Sequence, residues 1–359
     1  MRKVFFTPGP TELYPEVENY IRQAIDDHIC SINHRSNEFM DIYKFTIDNL
    51  RTLLNIPSSN KIFFLSSATE CMDRIIQNTV IAKTFHFVNG AFAERFYKTA
   101  VELNKNAEKI EVPYGESFDF NNIEIKNDPE LICITQNETS TGVAIDPENI
   151  YNLKKLFSNS LVAVDIVTSA PYINLDYDQI DCAFFSVQKG FGMPAGLGVL
   201  IVNQECMEKA FNLKSKGINI GSYHNFISLH ENAVKHQTTE TPNVLNIYLL
   251  GKVCEHLNSY GLGKVRKETE EKANLLYNFF DEHDQLRPFV KNKSARSKTI
   301  INIETDDKQI EVKKKLSDAG IIVGSGYGKF KDSQIRIANF PMHKLNDVKN
   351  IIKVFKSIR

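Results

Sequence analysis

The sequence has no excess of charge of either sign, and this absence removes two classes of partner. Its 359 residues include 43 Lys plus Arg against 44 Asp plus Glu, which gives a formal net charge of −1 at pH 7. Proteins that bind nucleic acids or anionic membrane surfaces usually carry a basic excess. We therefore expect neither a nucleic acid nor a membrane among the partners.

Long apolar runs and closely spaced cysteines are also missing. No uninterrupted apolar segment approaches the roughly 20 residues that cross a bilayer. The apolar stretch in MRKVFF ends at Pro8-Gly9-Pro10 and is too short for a secretory signal, so we expect a soluble, cytoplasmic protein. The six cysteines include no CxxC pair and the nine histidines no HExxH motif. These patterns argue against a zinc knuckle, a dense disulfide framework or any other metal site.

Short apolar runs alternate with longer helix-like stretches through roughly the first two thirds of the chain. This rhythm is typical of an α/β fold with a mainly parallel sheet and helices on both faces. The runs predicted as strands are Lys61–Leu65, Phe85–Val88, Leu131–Thr135, Leu161–Val164, Asp181–Val187 and Gly198–Val202.

From about Thr241 the pattern changes. Thr299–Glu304 and Gln334–Asn339 are predicted strands, and Lys308–Ala319 has apolar residues on one helical face. We predict a large domain over residues 1–245 and a smaller α+β domain over residues 246–359. The first 15 residues or so are expected to pack near the small domain and the active site.

An amine and a carboxylate stand at the ends of two predicted strands. Asp165 closes the run Leu161–Val164, and Lys189 follows Asp181–Val187. The ends of parallel strands meet at the sheet edge where α/β proteins bind ligands. Pyridoxal phosphate needs an amine that holds it as a Schiff base and an acid that keeps its ring nitrogen protonated. The pair therefore predicts a pyridoxal phosphate site, against the alternative of a solvated lysine and a turn aspartate.

Three further turns follow strands of the same predicted sheet. Residues 66–70, SSATE, place hydroxyls where a helix opens, which is a natural phosphate seat. Residues 89–92, NGAF, bring an aromatic ring that could cover a flat cofactor, and residues 136–142, QNETSTG, add hydroxyls. Each turn alone could be an ordinary cap, core residue or polar turn. Their convergence on one edge favours a shared site.

The glycines of KGFGMPAGLG, residues 189–198, fit neither the GxGxxG nor the GxxxxGK template of nucleotide-binding loops. They instead predict a close backbone turn beside a cofactor.

With these motifs, the sequence resembles the class V aminotransferases of the fold type I pyridoxal phosphate enzymes over essentially its whole length. The resemblance implies a mainly parallel, seven-stranded type of sheet flanked by helices, with the smaller C-terminal domain. The segments that carry it are FTPGPTELYPEV, HRSNEF, SATECMD, NGAFAER, NETSTG, VDIVTSAP, SVQKGFGMPAGLG, TTETPNV and QIRIANF.

The resemblance also implies roles for individual residues. Lys189 is the Schiff-base lysine, Asp165 is the partner of the pyridine nitrogen, and Phe92 takes the ring-stacking position where several relatives have tryptophan, which this chain lacks. The other implied cofactor-binding positions are Ser67, Ala68, Thr69, Thr139, Val167, Gln188 and, from the second subunit of a homodimer with shared active sites, Thr241. The implied substrate-binding positions are Gly9, His34, Arg35, Lys329 and Arg336. A guanidinium such as that of Arg336 suits an α-carboxylate because it meets it with two parallel hydrogen bonds.

The implied activity is amino transfer between a small amino acid and a 2-oxo acid by a ping-pong mechanism. Phosphoserine with 2-oxoglutarate ranks first, because His34, Arg35 and Lys329 supply cations for a dianion. Serine or alanine with glyoxylate or pyruvate is the alternative, since the turn 66–70 lacks the arginine that typical phosphoserine enzymes place there. A cysteine desulfurase of the same fold and a non-enzymatic α/β binding protein are the remaining hypotheses.

Overall fold

The structure, a computed structural model, describes residues 3–126 and 128–358. Its strands are β1 (Val4–Phe6), β2 (Lys61–Leu65), β3 (Lys83–Val88), β4 (Asn106–Glu111), β5 (Leu131–Thr135), β6 (Asn137–Glu138), β7 (Val143–Ala144), β8 (Leu161–Asp165), β9 (Cys182–Ser186), β10 (Gly198–Val202), β11 (Arg287–Pro288), β12 (Ile300–Glu304), β13 (Ile321–Ser325) and β14 (Gln334–Ala338). Its α-helices are α1 (Val17–Asp26), α2 (Asn37–Leu54), α3 (Ala68–Thr79), α4 (Ala91–Glu102), α5 (Pro147–Leu156), α6 (Gln204–Ser215), α7 (Phe226–Ala233), α8 (Val244–Tyr260), α9 (Leu262–Asp281), α10 (Gln309–Asp318) and α11 (Leu345–Phe355).

Seven strands form the larger sheet, in the order β2-β10-β9-β8-β5-β3-β4. Strand β10 runs antiparallel to both of its neighbours, and the other paired strands are parallel. Every residue of β5, β8, β9 and β10 is buried, as expected for strands covered by helices on both faces. The predicted fold class, a mainly parallel seven-stranded α/β sheet, is confirmed.

The register of the central strands places the predicted site residues at one edge. Thr135, the last residue of β5, lies opposite Asp165, the last residue of β8. Asp165 in turn lies opposite Phe184 of β9, and the chain reaches Lys189 three residues after β9 ends. Neighbouring parallel strands thus deliver an acid, a hydroxyl and an amine to the same end of the sheet.

The smaller sheet combines both ends of the chain. Its order is β1-β13-β14-β12-β11, and β1 pairs in parallel with β13, with Val4 opposite Ile321. Helices α9, α10 and α11 supply a separate apolar core behind it, which includes Phe280, Leu316 and Phe355. The early strand β1 therefore joins a sheet whose other strands come from residues 287–338. The proposed domain boundary at residue 245 stays a prediction.

Four strands of these sheets, β1, β4, β11 and β13, were not predicted. Strand β4, with the sequence NAEKIE, is a half-exposed edge strand. Because an edge strand can carry charged residues, β4 has no continuous apolar run from which it could be predicted. Strand β13, with the sequence IIVGS, ends in small residues that weaken its strand signal. Among the described residues, no helix is both long and apolar enough to cross a membrane.

Candidate active site

Lys189 lies buried in the turn after β9, with 8% of its surface exposed. Its Nζ donates a hydrogen bond to the carbonyl oxygen of Pro8, at 2.7 Å. Burial is the main reason that the pKa of Lys189 falls to about 8; the Arg336 guanidinium lowers it further, while Asp165 and Glu138 act in the opposite direction. A lysine with this pKa holds an appreciable fraction of neutral, nucleophilic amine near pH 8.

Gly9 lies against the Lys189 side chain. Its φ is +130°, and a Cβ atom there would lie 2.3 Å from Cδ and 2.6 Å from Nζ of Lys189. Only glycine gives the backbone this conformation and this close approach without strain. Gly9, predicted as a substrate-binding position, is thus next to the amine.

Asp165 ends β8 and is 3% exposed. Its Oδ1 accepts a hydrogen bond from the backbone N–H of Val167, at 2.8 Å. Burial raises the pKa of Asp165 to about 7, with a further increase from Glu138, whereas the Val167 N–H and the Lys189 charge lower it. A cation beside this carboxyl group would lower its pKa again and hold it ionised.

Glu138 is a buried carboxyl group that the sequence analysis missed. One oxygen, Oε2, accepts from the backbone N–H groups of Phe92 and Ala93, at 3.1 and 2.9 Å. The other, Oε1, accepts from the N–H and hydroxyl of Ser140, at 2.9 and 2.7 Å. Burial raises the pKa of Glu138 despite these hydrogen bonds. Glu138 therefore caps the start of α4 and fixes the backbone of Phe92; within NETSTG it is indistinguishable from a polar turn residue.

The amine lies near an aromatic ring of α4, which in turn contacts a tyrosine next to the smaller sheet. The Phe92 ring centroid lies 5.7 Å from Lys189 Nζ and 5.4 Å from the Tyr327 ring. Arg336 on β14 places Cζ 5.4 Å from the same Tyr327 ring. Its Nε donates to Ser325 O at 2.8 Å, and its Nη1 donates to Thr139 O at 3.3 Å. Arg336 is thus positioned between β13 and the turn that carries Thr139.

The turn before α3 has the geometry of an anion seat. Ser67 caps the helix, its Oγ accepting from Glu70 N at 3.1 Å. Ala68 is buried and donates its N–H to Ser186 Oγ at 2.8 Å, at the end of β9; Thr69 beside it is exposed. This contact brings the helix N-terminus against the strand that leads to Gln188, whose buried Oε1 has no hydrogen-bond partner among the described residues.

Hydroxyls of two neighbouring turns meet beside Asp165. Thr139 Oγ1 donates to Thr168 Oγ1 at 3.1 Å, and Thr168 Oγ1 donates to Asn137 O at 2.9 Å. Val167, another predicted cofactor contact, is half-buried and supplies the N–H that Asp165 accepts.

His34, Arg35 and Thr241 form a separate cluster. Arg35 Nη1 donates to Gln237 Oε1 at 2.8 Å and to Thr238 O at 2.7 Å. His34 Nδ1 lies 3.4 Å from Thr241 Oγ1. Across the part of the chain that the structure describes, the side-chain hydrogen bonds of His34 and Arg35 go to Asn232 and to the segment 237–241, not to Lys189 or Asp165 of the same chain.

Lys329 lies apart from both groups. Its side chain is exposed, with Nζ 5.6 Å from the Tyr114 ring centroid and 5.2 Å from that of Phe330. The structure therefore brings together the predicted residues Gly9, Phe92, Asp165, Lys189 and Arg336.

The family model described as Aminotransferase class-V matches residues 4–330. The chain belongs to the class V aminotransferases. A phosphoserine aminotransferase of Rhodococcus opacus is 26% identical over 355 residues, covering 97% of this chain and 93% of the relative. A solved structure of a phosphoserine aminotransferase SerC from Cytophaga hutchinsonii is 44% identical, covers 99% of both chains and superimposes with a TM-score of 0.97. An alanine–glyoxylate aminotransferase from Nostoc sp., 20% identical over 99% of this chain and 95% of its own, has a TM-score of 0.80 and shares the fold.

Class V aminotransferases act through pyridoxal phosphate, so this chain is a pyridoxal phosphate-dependent enzyme. Its residues fit that cofactor: the site offers a buried amine of lowered pKa, a buried acid on the adjacent strand and an aromatic ring within 5.7 Å of the amine. The N-terminus of α3 adds a place for a phosphate.

Family membership rules out the non-enzymatic binding protein among the hypotheses. The cysteines also give little support to a desulfurase. Five of the six are buried, and only Cys30 is exposed. Burial raises the pKa of Cys71, Cys133 and Cys206 well above the usual range, which keeps these thiols protonated and unreactive.

Proposed function

We propose that this aminotransferase moves the amino group of phosphoserine to 2-oxoglutarate, as a cytoplasmic homodimer with shared active sites. The observation that carries the proposal is the 44% identity, across 99% of both chains, to a structure named as a phosphoserine aminotransferase. Several curated relatives at about 26% identity carry the same name. The basic side chains at positions 34, 35, 329 and 336 are consistent with a substrate that bears a carboxylate and a phosphate.

In this proposal Lys189 acts twice. Its Nζ would hold the cofactor, for which a pKa of about 8 keeps part of the amine neutral. With an amino acid in the site, the free Lys189 amine would take the proton from the substrate Cα. The bound cofactor supplies the electron sink for the bond broken at Cα.

The residues around Lys189 hold and orient the reacting groups. Asp165 stabilises positive charge on the ring nitrogen, an electrostatic effect that burial strengthens. Phe92 would cover one face of the ring, and Thr139 and Val167 would contact it. Ser67, Ala68, Thr69 and Gln188 receive the phosphate at the N-terminus of α3.

Substrate recognition divides between two subunits in this proposal. Arg336 binds the α-carboxylate, and Gly9 leaves room beside the amine. His34, Arg35 and Thr241 reach the partner's site, where Thr241 contacts the cofactor phosphate and the two cations bind the substrate phosphate; Lys329 adds a further cation. This division is supported by the contact between His34 and Thr241 and by the Arg35 hydrogen bonds to the segment that leads to Thr241.

A donor panel tests the substrate. The purified holoenzyme is mixed with phosphoserine, serine or alanine, and the spectral change from the pyridoxal to the pyridoxamine form is followed in a single turnover. We expect phosphoserine to react with the highest second-order rate constant, and Arg35→Gln to reduce that constant while leaving the slower reaction with alanine unchanged. A higher rate constant with serine or alanine would replace phosphoserine by the alternative donors.

Subunit mixing tests the shared site. Lys189→Ala and Arg35→Ala homodimers are each expected to be inactive with phosphoserine. Hybrid dimers contain one site with both residues intact, so mixing after mild dissociation should restore up to about a quarter of the activity if subunits reassort at random. No recovery in mixtures that contain hybrids by mass spectrometry would contradict the sharing.

A further inference from the structure

A buried histidine outside the residues considered so far joins the turn 66–70 to the segment 238–241 of the same chain. His224 Nδ1 lies 2.6 Å from Glu70 Oε1, and His224 Nε2 lies 2.7 Å from Glu240 Oε2. The side chain is only 4% exposed. Both ring nitrogens face carboxylate oxygens, and only the doubly protonated imidazole can donate to both.

The Glu70 end of this bridge holds the turn before α3. Besides His224, Glu70 accepts from the N–H and the hydroxyl of Ser66 through Oε2, at 2.9 and 2.6 Å. Glu70 thus fixes the backbone that leads to Ser67 and Ala68, where the cofactor phosphate is proposed to sit.

The Glu240 end holds the segment that leads to Thr241. Thr239 Oγ1 donates to Glu240 Oε2, and Thr238 Oγ1 donates to Glu240 O at 2.7 Å. Glu240 immediately precedes Thr241, so an anchored Glu240 restrains the backbone at Thr241. Without a cation between them, Glu70 and Glu240 would repel each other and a nearby phosphate dianion.

We infer that protonated His224 is a positioning residue that holds the turn 66–70, where its own chain's cofactor phosphate is proposed to bind, against the segment 238–241. It would thereby fix Thr241, which in the proposed dimer contacts the partner's cofactor. The inference rests on the proposed function for the location of the phosphate and the role of Thr241. It assigns His224 no contact with substrate or cofactor.

The charge of His224 makes this bridge sensitive to pH. The charged or titratable groups that face it are Glu70 and Arg74 on α3, Glu240, and Tyr223, whose ring centroid lies 4.1 Å away. Burial alone would lower the pKa of His224, but the hydrogen bonds to Glu240 and Glu70 outweigh it and raise the pKa to about 9 from its ordinary 6.5. Because the folded-state pKa is raised, the stabilisation is complete below about pH 6.5 and is lost as the pH rises through about 9.

His224→Gln tests the inference, with the dissociation constant of pyridoxal phosphate and the thermal midpoint of the cofactor-free protein measured from pH 6 to 10. We expect the variant to bind the cofactor at least roughly tenfold more weakly at pH 7, because two half-buried carboxylates lose a charged donor. The wild-type affinity and midpoint should fall between pH 7 and 9.5, and the variant should lose this part of the pH dependence. Adding Glu240→Gln to His224→Gln should recover most of the lost affinity, since it removes one of the uncompensated charges.

His230→Gln is the matched control, because His230 lies on α7 nearby, half-buried, and should change neither readout. If His224→Gln does not fold, Glu240→Gln alone is informative: it should shift the wild-type pH dependence to lower pH, because one of the two groups that raise the pKa of His224 is gone. A variant at position 224 with wild-type affinity and an unchanged pH profile, or a midpoint loss equal at every pH, would overturn the inference. Neither readout uses phosphoserine, so a failure of the proposed substrate leaves this test intact.

Discussion

The amine of Lys189 donates its hydrogen bond to the carbonyl oxygen of Pro8, at 2.7 Å. Pro8 follows β1, which pairs with β13 in the smaller sheet, whereas Lys189 follows β9 of the larger one. The segment after Pro8 stays beside the lysine turn, with Tyr14 N donating to Gly192 O at 2.8 Å. The amine is therefore held between the two sheets. A substitution in the segment that begins at Pro8 should change the position of Nζ.

Gly9→Ala is expected to reduce turnover by at least roughly tenfold. The new Cβ would lie 2.3 Å from Lys189 Cδ, and the amine must move; the φ of +130° adds backbone strain of about 1–3 kcal/mol. Gly217→Ala is the matched control, because Gly217 also has a positive φ, of +74°, but a Cβ atom added there would meet no other atom within 4 Å. Steady-state kinetics should show a loss for Gly9→Ala alone; equal losses in the two variants would mean that strain, and not contact with Lys189, is responsible.

Asp165→Asn is expected to stabilise the cofactor-free protein while abolishing most of its activity. The pKa of Asp165 is raised from 3.8 to about 7 in the folded state, so between these values unfolding releases a proton and wild-type stability falls as the pH rises. Asparagine does not titrate and can still accept from Val167 N. The difference in thermal midpoint, variant minus wild type, should therefore grow from about pH 4 to about pH 7.

The activity of Asp165→Asn should fall by at least roughly 100-fold, because the ring nitrogen loses its ionic partner. Asp181→Asn is the control: Asp181 is also buried but lies 3.0 Å from Lys154, and its loss should lower stability without removing the reaction. A wild-type rate in Asp165→Asn would show that the acid beside the amine has no part in catalysis.

Arg336→Lys should raise the KM for every amino acid donor by roughly 10- to 100-fold, because an ammonium group cannot make the paired hydrogen bonds of a guanidinium to a carboxylate. Lysine would also lose the contacts that Arg336 makes to Ser325 O and Thr139 O. Arg296→Lys provides the comparison, since Arg296 is buried and paired with Asp281 at 2.8 Å. The Arg296→Lys variant should unfold at a lower temperature with an unchanged KM. A similar KM for both variants would contradict a role of Arg336 in substrate binding.

The sequence predicts the parts of the fold whose signal is local. Lys61–Leu65, Leu131–Thr135 and Gly198–Val202 are strands with the predicted bounds, because each is a continuous apolar run that two layers of helices bury. Strand β4 could not be predicted in this way, because it is an edge strand that is half-exposed to solvent. The antiparallel direction of β10 could not be predicted from the sequence either. The direction of a strand depends on the connection that precedes it and not on the composition of the apolar run.

The site was predictable where a residue stands at the end of a strand. Asp165 and Lys189 follow apolar runs, so sheet topology alone brings them together. The roles of Glu138 and the Pro8 carbonyl could not be predicted in this way. A glutamate in a polar turn looks like any other turn residue, and the contact of a backbone oxygen depends on tertiary structure. His224 left none either, since its two carboxylate partners come from residues 70 and 240.

Reductive trapping of the holoenzyme tests the central claim most directly. Borohydride should fix the cofactor to its lysine, and peptide mass spectrometry should find the added mass on Lys189. Lys272 is a built-in comparison, since it is also buried, has a pKa lowered to about 8 by burial, and donates to Phe340 O and His343 O. The account predicts modification at Lys189 alone; cofactor on Lys272 or any other lysine, with Lys189 unmodified, would contradict it.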